Sequence, residues 1–249
     1  MTDRHNKRLQ SEFNRTAEQF AQRTKGRFDT LGALEFSRVS PNATILEVGA
    51  GTGNFLRHFE GGGRRLVALD LTEGMLRRAA KEHPDMILVR GDGTRLPIAT
   101  GCIDLVASAQ ALHHVHEPLP LVKEMRRAVR GDGWVLIVDQ VATERHEEAQ
   151  MMTKLDVLRD PSHAMSRPPS AMRVIVRAAG LEIVDERLVV SEERLSNWMW
   201  PEEFPAERIK AVARFIDQHG SATGMEFRRD GDDWSYERRR MMILARRAP

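Results

Sequence analysis

Three glycines stand at alternate positions just after a short apolar segment near residue 45. A glycine has no Cβ atom, so Gly49, Gly51 and Gly53 allow a ligand to approach the backbone closely. A helix that begins after such a turn directs its free N–H groups at the ligand. The spacing is G-x-G-x-G, and Asn54 stands where the dinucleotide-binding pattern has a further glycine, which disfavours a nicotinamide cofactor.

Two aspartates follow the next two predicted strands. Asp70 ends the strand 65–70, where an acidic side chain can accept hydrogen bonds from both hydroxyls of a ribose. Asp92 lies between Gly91 and Gly93, and a short carboxylate there can reach the amino group of an adenine. Because the carboxyl ends of parallel strands form the ligand-binding edge of an open sheet, these features together predict a nucleoside cofactor.

Strands and helices alternate around these residues. Between residues 44 and 140, apolar strands separated by amphipathic helices predict βαβ units and a doubly wound parallel sheet. In this first part, the predicted strands are 44–48, 65–70, 86–90, 102–108 and 134–139, and the predicted helices are 54–60, 72–82 and 117–129.

The spacing of apolar residues changes after Gln140. There we expect helices over 143–159 and 170–179, strands over 181–190 and 241–246, and an irregular segment over 191–233.

The composition narrows the class of protein. There are 38 basic and 36 acidic residues, so the net charge is only +2, which disfavours a nucleic-acid partner. Cys102 is the one cysteine, so neither an intrachain disulfide nor a multi-cysteine metal site is expected. No apolar run has the length of about 20 residues that a membrane span requires. We predict a cytoplasmic protein.

Four segments in order resemble one family. EVGAGTGNF, LVALDLTEGML, GDGTRLPIATGCIDLVASAQALHHV and GWVLIVD are similar to successive motifs of the class I S-adenosylmethionine-dependent methyltransferases. The branch includes ubiquinone and menaquinone C-methyltransferases and natural-product methyltransferases, and the likeness covers about residues 10–140. It implies an α/β, Rossmann-like seven-stranded sheet with the last strand antiparallel. The spacing of Leu9, Phe13, Ala17 and Phe20 predicts N-terminal helices, and the change of spacing after Gln140 predicts a small inserted cap.

Two parts of the chain are expected, and the resemblance implies a cofactor. Residues 1–40 would form a helical lid, and residues 41–249 the methyltransferase domain, with acceptor-side insertions at about 143–170 and 191–233. The cofactor would be S-adenosyl-L-methionine, with S-adenosyl-L-homocysteine as product. The implied contacts are Glu47, Gly49, Ala50, Gly51 and Gly53 at the methionyl end, Asp70 at the ribose, Leu71, Met75, Gly91, Asp92 and Gly93 at the adenine, and Gln110 beneath the sulfonium.

Methyl transfer from a sulfonium depends largely on holding the acceptor in line, and a base is needed only if the acceptor loses a proton. His113 and His114 follow the fourth strand, on the side where the methyl group would emerge, and are the catalytic candidates. The histidines lie too close together in sequence to converge on a metal, so none is expected. The candidates for the acceptor pocket are Phe20, Arg159, His163 and Trp198.

The acceptor itself is not specified by these patterns. The segment 108–111 reads SAQA and lacks the Asn/Asp-Pro-Pro-aromatic motif of base-amino methyltransferases, so a small organic acceptor, apolar or phenolic, with C- or O-methylation is favoured. Three alternatives stay open: an RNA or protein methyltransferase, a nicotinamide-dependent oxidoreductase, and a non-catalytic cofactor-binding subunit. Homodimerisation is also left open.

Overall fold

A computed structural model of the chain describes residues 3–199 and 204–248. Eight strands form one mixed sheet, and eight α-helices and three short 3₁₀ segments connect or flank them in the described ranges. The strands are β1 Thr44–Val48, β2 Arg65–Asp70, β3 Ile87–Arg90, β4 Ile103–Ala109, β5 Val129–Gln140, β6 Leu181–Arg194, β7 Arg228–Asp230 and β8 Asp233–Arg247. The helices are α1 Asp3–Thr24, α2 Ala33–Ser37, α3 Glu73–Glu82, α4 Pro118–Ala128, α5 His146–Arg159, α6 Pro169–Ala178, α7 Leu195–Trp198 and α8 Ala206–His219.

The strand order is β3-β2-β1-β4-β5-β8-β6, and β7 pairs with β8 outside this path. The first five strands are mutually parallel, whereas β8 runs antiparallel to both β5 and β6. The predicted doubly wound fold with a reversed last strand is therefore confirmed, with the short β7 as an addition. The order reverses between β1 and β4, which is where ligands bind in open α/β sheets.

The central strands are buried on both faces. Strands β1, β4 and β5 are mostly apolar and mostly buried because helices cover both sides of the sheet. One apolar cluster joins the sheet to α4 and α6, and a second joins the opposite face to α2 and the 3₁₀ segment Leu56–Phe59. This burial fixes the carboxyl ends of β1, β2, β4 and β5 along one edge.

A third apolar cluster forms the core of the inserted cap. It packs α5, α7 and α8 against the first half of β8 around Trp198 and Tyr236. The prediction that 191–233 is irregular is wrong, because β6 continues to Arg194, α8 follows, and β7 pairs with β8. Helix α8 buries Val212 and Ile216 on its inner face, a spacing typical of an amphipathic helix. Residues 200–203 of this segment lie outside the described residues.

Candidate functional site

A cleft opens at the carboxyl ends of β1, β2 and β4 and encloses about 960 Å³, including its opening to solvent. It lies at the sheet edge where the sequence places the cofactor. Eleven of the twelve predicted cofactor residues line it: Glu47, Gly49, Ala50, Gly51, Asp70, Leu71, Met75, Gly91, Asp92, Gly93 and Gln110.

The glycine turn leaves β1 in a conformation that requires glycine. Gly49 and Gly51 have φ values of 76° and 54°, in the left-handed region. A Cβ atom on Gly49 would lie 2.6 Å from the Cβ of Ala111, so the turn packs directly against the segment after β4. The N–H groups of Gly49 and Ala50 both donate to the carbonyl of Leu69, at 2.8 and 3.0 Å, which holds the turn at the end of β2.

Gly53 lies outside the cleft wall. A Cβ atom there would lie 3.0 Å from the His83 ring and 3.1 Å from the sulfur of Met86. The third glycine therefore allows close packing beneath the turn, and the structure brings it into no contact with the cleft. The predicted helix over 54–60 is also wrong, because only the 3₁₀ segment Leu56–Phe59 forms. So short a segment gives little of the helix-terminal field expected there.

Asn54 has a role that the sequence did not indicate. Its side-chain amide donates to the carbonyl of Ala21 at 3.2 Å and to the hydroxyl oxygen of Thr24 at 2.7 Å. Both partners lie in the last turns of α1. The residue that separates this turn from the dinucleotide pattern therefore ties α1 to the edge of the cleft.

Helix α1 lies across the cleft and forms one wall with Leu9, Phe13 and Phe20. Gln10 donates to the carbonyl of Leu71 at 3.2 Å, and the N–H of Gly74 donates to Asn14 at 2.8 Å. These contacts join the helix to β2 and α3, on the far side of the cleft from Asn54.

Asp70 holds the turn together from inside the cleft. One carboxylate oxygen accepts from the N–H of Gly51 at 2.8 Å, and the other accepts from the N–H of Thr72 at 2.7 Å. Burial raises the pKa of this carboxyl, while the two backbone donors oppose that rise. A carboxylate offers about four acceptor directions, so each oxygen keeps one for a ligand hydroxyl.

Four residues of the cleft wall have a buried side-chain polar atom without a protein partner: Glu47, Thr52, Thr72 and Gln110. Oε2 of Glu47 accepts no hydrogen bond, and Nε2 of Gln110 donates none. Burial first, and then the neighbouring charge of Asp70, raise the pKa of Glu47 well above its usual range. Because unpartnered buried polar atoms are costly, both atoms are suited to contact a polar ligand, and Glu47 to contact a cationic one.

Asp92 and Gly93 close the other end of the cleft. One oxygen of Asp92 accepts from both the N–H and the hydroxyl of Thr94, at 2.8 Å each. A Cβ atom on Gly93 would lie 2.7 Å from Val48 and 3.0 Å from Leu121, so any larger residue would push the turn away from the sheet. This fixed carboxylate is suited to accept a hydrogen bond from an exocyclic amine.

A second cavity of about 520 Å³, including its opening, adjoins the cleft on the side of the cap. It contains all four residues predicted for the acceptor pocket: Phe20, Arg159, His163 and Trp198. The two cavities share Phe13, Phe20, Arg27, Gln110 and His114 as common wall. A reactive group at this wall would therefore be accessible from both sides.

His113 lines the second cavity and is held by a buried carboxylate. Its Nδ1 lies 2.6 Å from an oxygen of Asp139, and its backbone N–H donates to the other oxygen at 3.2 Å. Burial, followed by the charges of His114 and His163, lowers the pKa of His113 well below its usual range. Burial raises the pKa of Asp139 to about 6. At neutral pH the pair is a neutral imidazole on a carboxylate, which leaves Nε2 as the free acceptor nitrogen.

His114 occupies a different position from its neighbour. It lies in the wall shared by both cavities, but its Nδ1 lies 3.0 Å from the carbonyl of Ser162, and its ring packs edge-on against Phe13. The ring of His163 lies 5.1 Å from that of His113, and its Nε2 lies 3.1 Å from the hydroxyl of Ser166. These two rings have structural partners, so His113 is the better placed of the paired histidines for proton transfer.

The sequence analysis missed two residues of this site. Asp139 was noted only as the end of β5, although its position after a buried strand, beside the end of β4, could have marked it. Arg27 was not noted at all; it follows α1 in a turn at Gly26, and only the tertiary structure brings it to the common wall. Within the described residues there is no group of three or more metal-ligating side chains, and no helix is long and apolar enough to cross a membrane.

The chain is similar in sequence to known methyltransferases. A family model described as a methyltransferase domain matches residues 46–137. Demethylmenaquinone methyltransferase from Renibacterium salmoninarum is 32% identical over 111 residues, which cover 45% of this chain and 44% of that protein. An uncharacterised methyltransferase, YcgJ, from Bacillus subtilis is 25% identical over 178 residues, or 70% of each chain. The first relative is thus matched over less than half of its length.

A solved structure from Bacillus halodurans, assigned as a methyltransferase, superposes with a TM-score of 0.79 and covers 89% of this chain and 99% of its own. Its sequence is 22% identical, so this likeness concerns the fold. Residues 46–137 thus match a methyltransferase domain, and the relatives and the superposed structure support the predicted resemblance to the class I methyltransferases.

Proposed function

We propose that this chain transfers a methyl group from S-adenosylmethionine to a small organic acceptor, on carbon or oxygen. The observation that carries the proposal is the arrangement of three carboxylates at successive strand ends, Glu47, Asp70 and Asp92, around one cleft. Their spare acceptor atoms suit an ammonium group, a ribose and an adenine amine. The match of residues 46–137 to a methyltransferase domain supports the same function.

The residues of the cleft fit this cofactor. Glu47 and the turn at Gly49 would hold the methionyl end, Asp70 the ribose, and Asp92 the adenine, with Leu71 and Met75 against the ring. When bound, S-adenosylmethionine supplies a sulfonium methyl group that an acceptor atom takes in line, while the carbon–sulfur electron pair stays on sulfur. Nε2 of His113 accepts the proton that a C–H or O–H acceptor releases, and Asp139 stabilises the imidazolium.

We also propose that α1 acts as the lid of this cleft. The helix covers the site through Phe13 and Phe20 and is tied to the domain by polar contacts at Asn14 and Asn54. Hydrogen bonds of this kind can be replaced by hydrogen bonds to water when the helix moves away from the domain. The cofactor would then enter the cleft beneath α1. A cytoplasmic location and a homodimeric assembly stay predictions.

Calorimetric titration with S-adenosylhomocysteine and, separately, with NADH tests the proposal. We expect micromolar binding of S-adenosylhomocysteine and none of NADH, because the turn lacks the glycine that a pyrophosphate requires. Binding of NADH alone, or of neither ligand, would contradict it. Transfer of a labelled methyl group into a metabolite extract then distinguishes an enzyme from a non-catalytic binding subunit.

The affinity for S-adenosylhomocysteine is expected to rise with pH, by up to about tenfold per unit. Glu47 has a raised pKa in the free protein, and pairing with the ammonium group of the ligand lowers that pKa. Binding therefore releases a proton from Glu47 wherever the pH lies between the two values, and a higher pH favours it. Titrations over a pH series measure the slope.

The control ligand is 5′-methylthioadenosine, which keeps the ribose and adenine but has no ammonium group. Its affinity should not change with pH over the same window, and the slope for S-adenosylhomocysteine should disappear in Glu47→Gln. Equal slopes for the two ligands would remove Glu47 from the methionyl end.

A further inference from the structure

The second cavity has a strongly charged wall. Of its fourteen residues, four are arginines, two are aspartates, three are histidines, and only three are aromatic or apolar. Burial lowers the pKa of both His113 and His163, so these rings add no positive charge at neutral pH. The arginines are Arg23, Arg27, Arg159 and Arg238, and the aspartates are Asp156 and Asp160.

Both aspartates already have hydroxyl partners from the cap. Asp160 accepts from the N–H and the hydroxyl of Ser162, at 2.8 and 2.6 Å, and Asp156 accepts from the hydroxyl of Ser166 at 2.5 Å. Arg238 is neutralised behind the wall by Glu193, at 2.9 Å. Among the described side chains, four arginines stand against the two aspartates and Glu193, so the wall keeps a formal net positive charge.

Arg27 is the least compensated of the cations. Among the residues that the structure describes, it is the one arginine of this wall whose guanidinium makes no hydrogen bond or ion pair. Burial, followed by the charges of Arg23, Arg238 and Arg240, lowers its pKa well below the usual range. The charge of Glu193 favours the guanidinium of Arg27, but Glu193 already pairs with Arg238 and Arg240, so a further, bound anion would stabilise Arg27.

Arg159, which lines the same cavity, is held rigidly. Its Nε donates to the carbonyl of Trp198 at 3.2 Å, and its guanidinium stacks on Trp198 and Phe204 at 5.2 and 4.7 Å from the ring centres. Stacking of this kind fixes the plane of the guanidinium fork, which matches the oxygens of a carboxylate or phosphate.

We infer that the acceptor carries an oxyanion, a carboxylate or phosphate, which Arg27 and Arg159 bind while His113 faces the atom to be methylated. This inference rests on the proposed function, since it specifies the acceptor of that same site. The charged wall favours it over the apolar or uncharged phenolic acceptor that the sequence analysis suggested.

Arg27 also borders the cofactor cleft, whereas Arg159 lines only the second cavity. An anion in the cleft, such as the carboxylate at the methionyl end of the cofactor, would involve Arg27 without Arg159. An acceptor anion in the second cavity would involve both. This difference separates the two possibilities by experiment.

The test is calorimetric titration of the protein, alone and saturated with S-adenosylhomocysteine, with sodium benzoate, its neutral isostere benzamide, and inorganic phosphate. We expect at least one of the two anions, benzoate or phosphate, to bind. If benzoate is the anion that binds, benzamide should bind at least about tenfold more weakly.

The variants Arg27→Gln and Arg159→Gln should each weaken binding of the anion at least about tenfold and leave binding of benzamide unchanged. Arg77→Gln, at an exposed position on α3, is the control for net charge and should change nothing.

Binding of neither anion, or equal binding of benzoate and benzamide in every variant, would overturn the oxyanion site and leave the methyltransferase proposal intact. A second pattern would also overturn the oxyanion site. In that pattern, Arg27→Gln weakens binding of S-adenosylhomocysteine but not of 5′-methylthioadenosine, and Arg159→Gln does not change binding of the anions. If S-adenosylhomocysteine did not bind but the arginine-dependent anion binding persisted, the oxyanion site would stand and the proposed function would fall.

Discussion

Asp139→Asn is expected to lower kcat about a hundred- to ten-thousandfold, with the affinity for S-adenosylhomocysteine unchanged. Asp139 accepts from Nδ1 of His113 and from the N–H groups of His113 and Gln140. An amide in its place would set an NH₂ group against one of these donors and would no longer stabilise the imidazolium. Methyl transfer to the acceptor, identified first by labelling, measures the loss.

The pH profile gives a second readout of the same pair. The active form requires an ionised Asp139 and a neutral His113, and the pKa of Asp139 is raised to about 6 while that of His113 is lowered. Both conditions hold above about pH 6, so kcat/KM should fall as the pH drops through that value. In Asp139→Asn this limb should disappear or move.

The matched control is Asp132→Asn, the same substitution at an exposed position on the same strand, β5. It should leave kcat unchanged. His113→Ala should lose about as much activity as Asp139→Asn, and the double variant no more than either, because the two side chains act as a unit. Normal turnover in both single variants would show that catalysis here depends on positioning alone.

Asp70→Ala is expected to weaken the binding of S-adenosylhomocysteine by about 2–3 kcal/mol, or about 30- to 150-fold. The substitution removes the acceptors for two ribose hydroxyls. It also leaves the N–H groups of Gly51 and Thr72 without their partner, so the glycine turn loses part of its support. Calorimetry measures the affinity, and thermal unfolding reports whether the turn still folds.

An analogue without the ribose hydroxyls separates these two effects. The 2′,3′-dideoxy form of S-adenosylhomocysteine should bind the wild-type protein weakly, and Asp70→Ala should weaken it little further. Asp85→Ala, at an exposed position beyond α3, is the control for lost charge. Unchanged affinity of the full ligand for Asp70→Ala would remove Asp70 from the ribose site.

Local patterns were sufficient to predict the central sheet. Apolar runs such as 65–70 and 134–139 became buried strands, because a strand covered on both faces must be apolar throughout. The boundaries were less accurate: β5 begins at Val129, and β6 continues to Arg194. Residues 206–219 were predicted to be irregular, although they carry a helical pattern that buries Val212 and Ile216 on one face of α8.

The sequence by itself determined which residue types end the parallel strands, and therefore the line of Glu47, Asp70 and Asp92 along one edge. These three carboxylates lie along one edge of the sheet because the carboxyl ends of parallel strands all lie at that edge. Only the tertiary structure decided that Gly53 packs beneath the turn, that Asp139 holds His113, and that Arg27 and Arg159 line one charged cavity. These contacts join residues far apart in the chain, and their geometry depends on how α1 and the cap pack on the sheet, which no local period encodes.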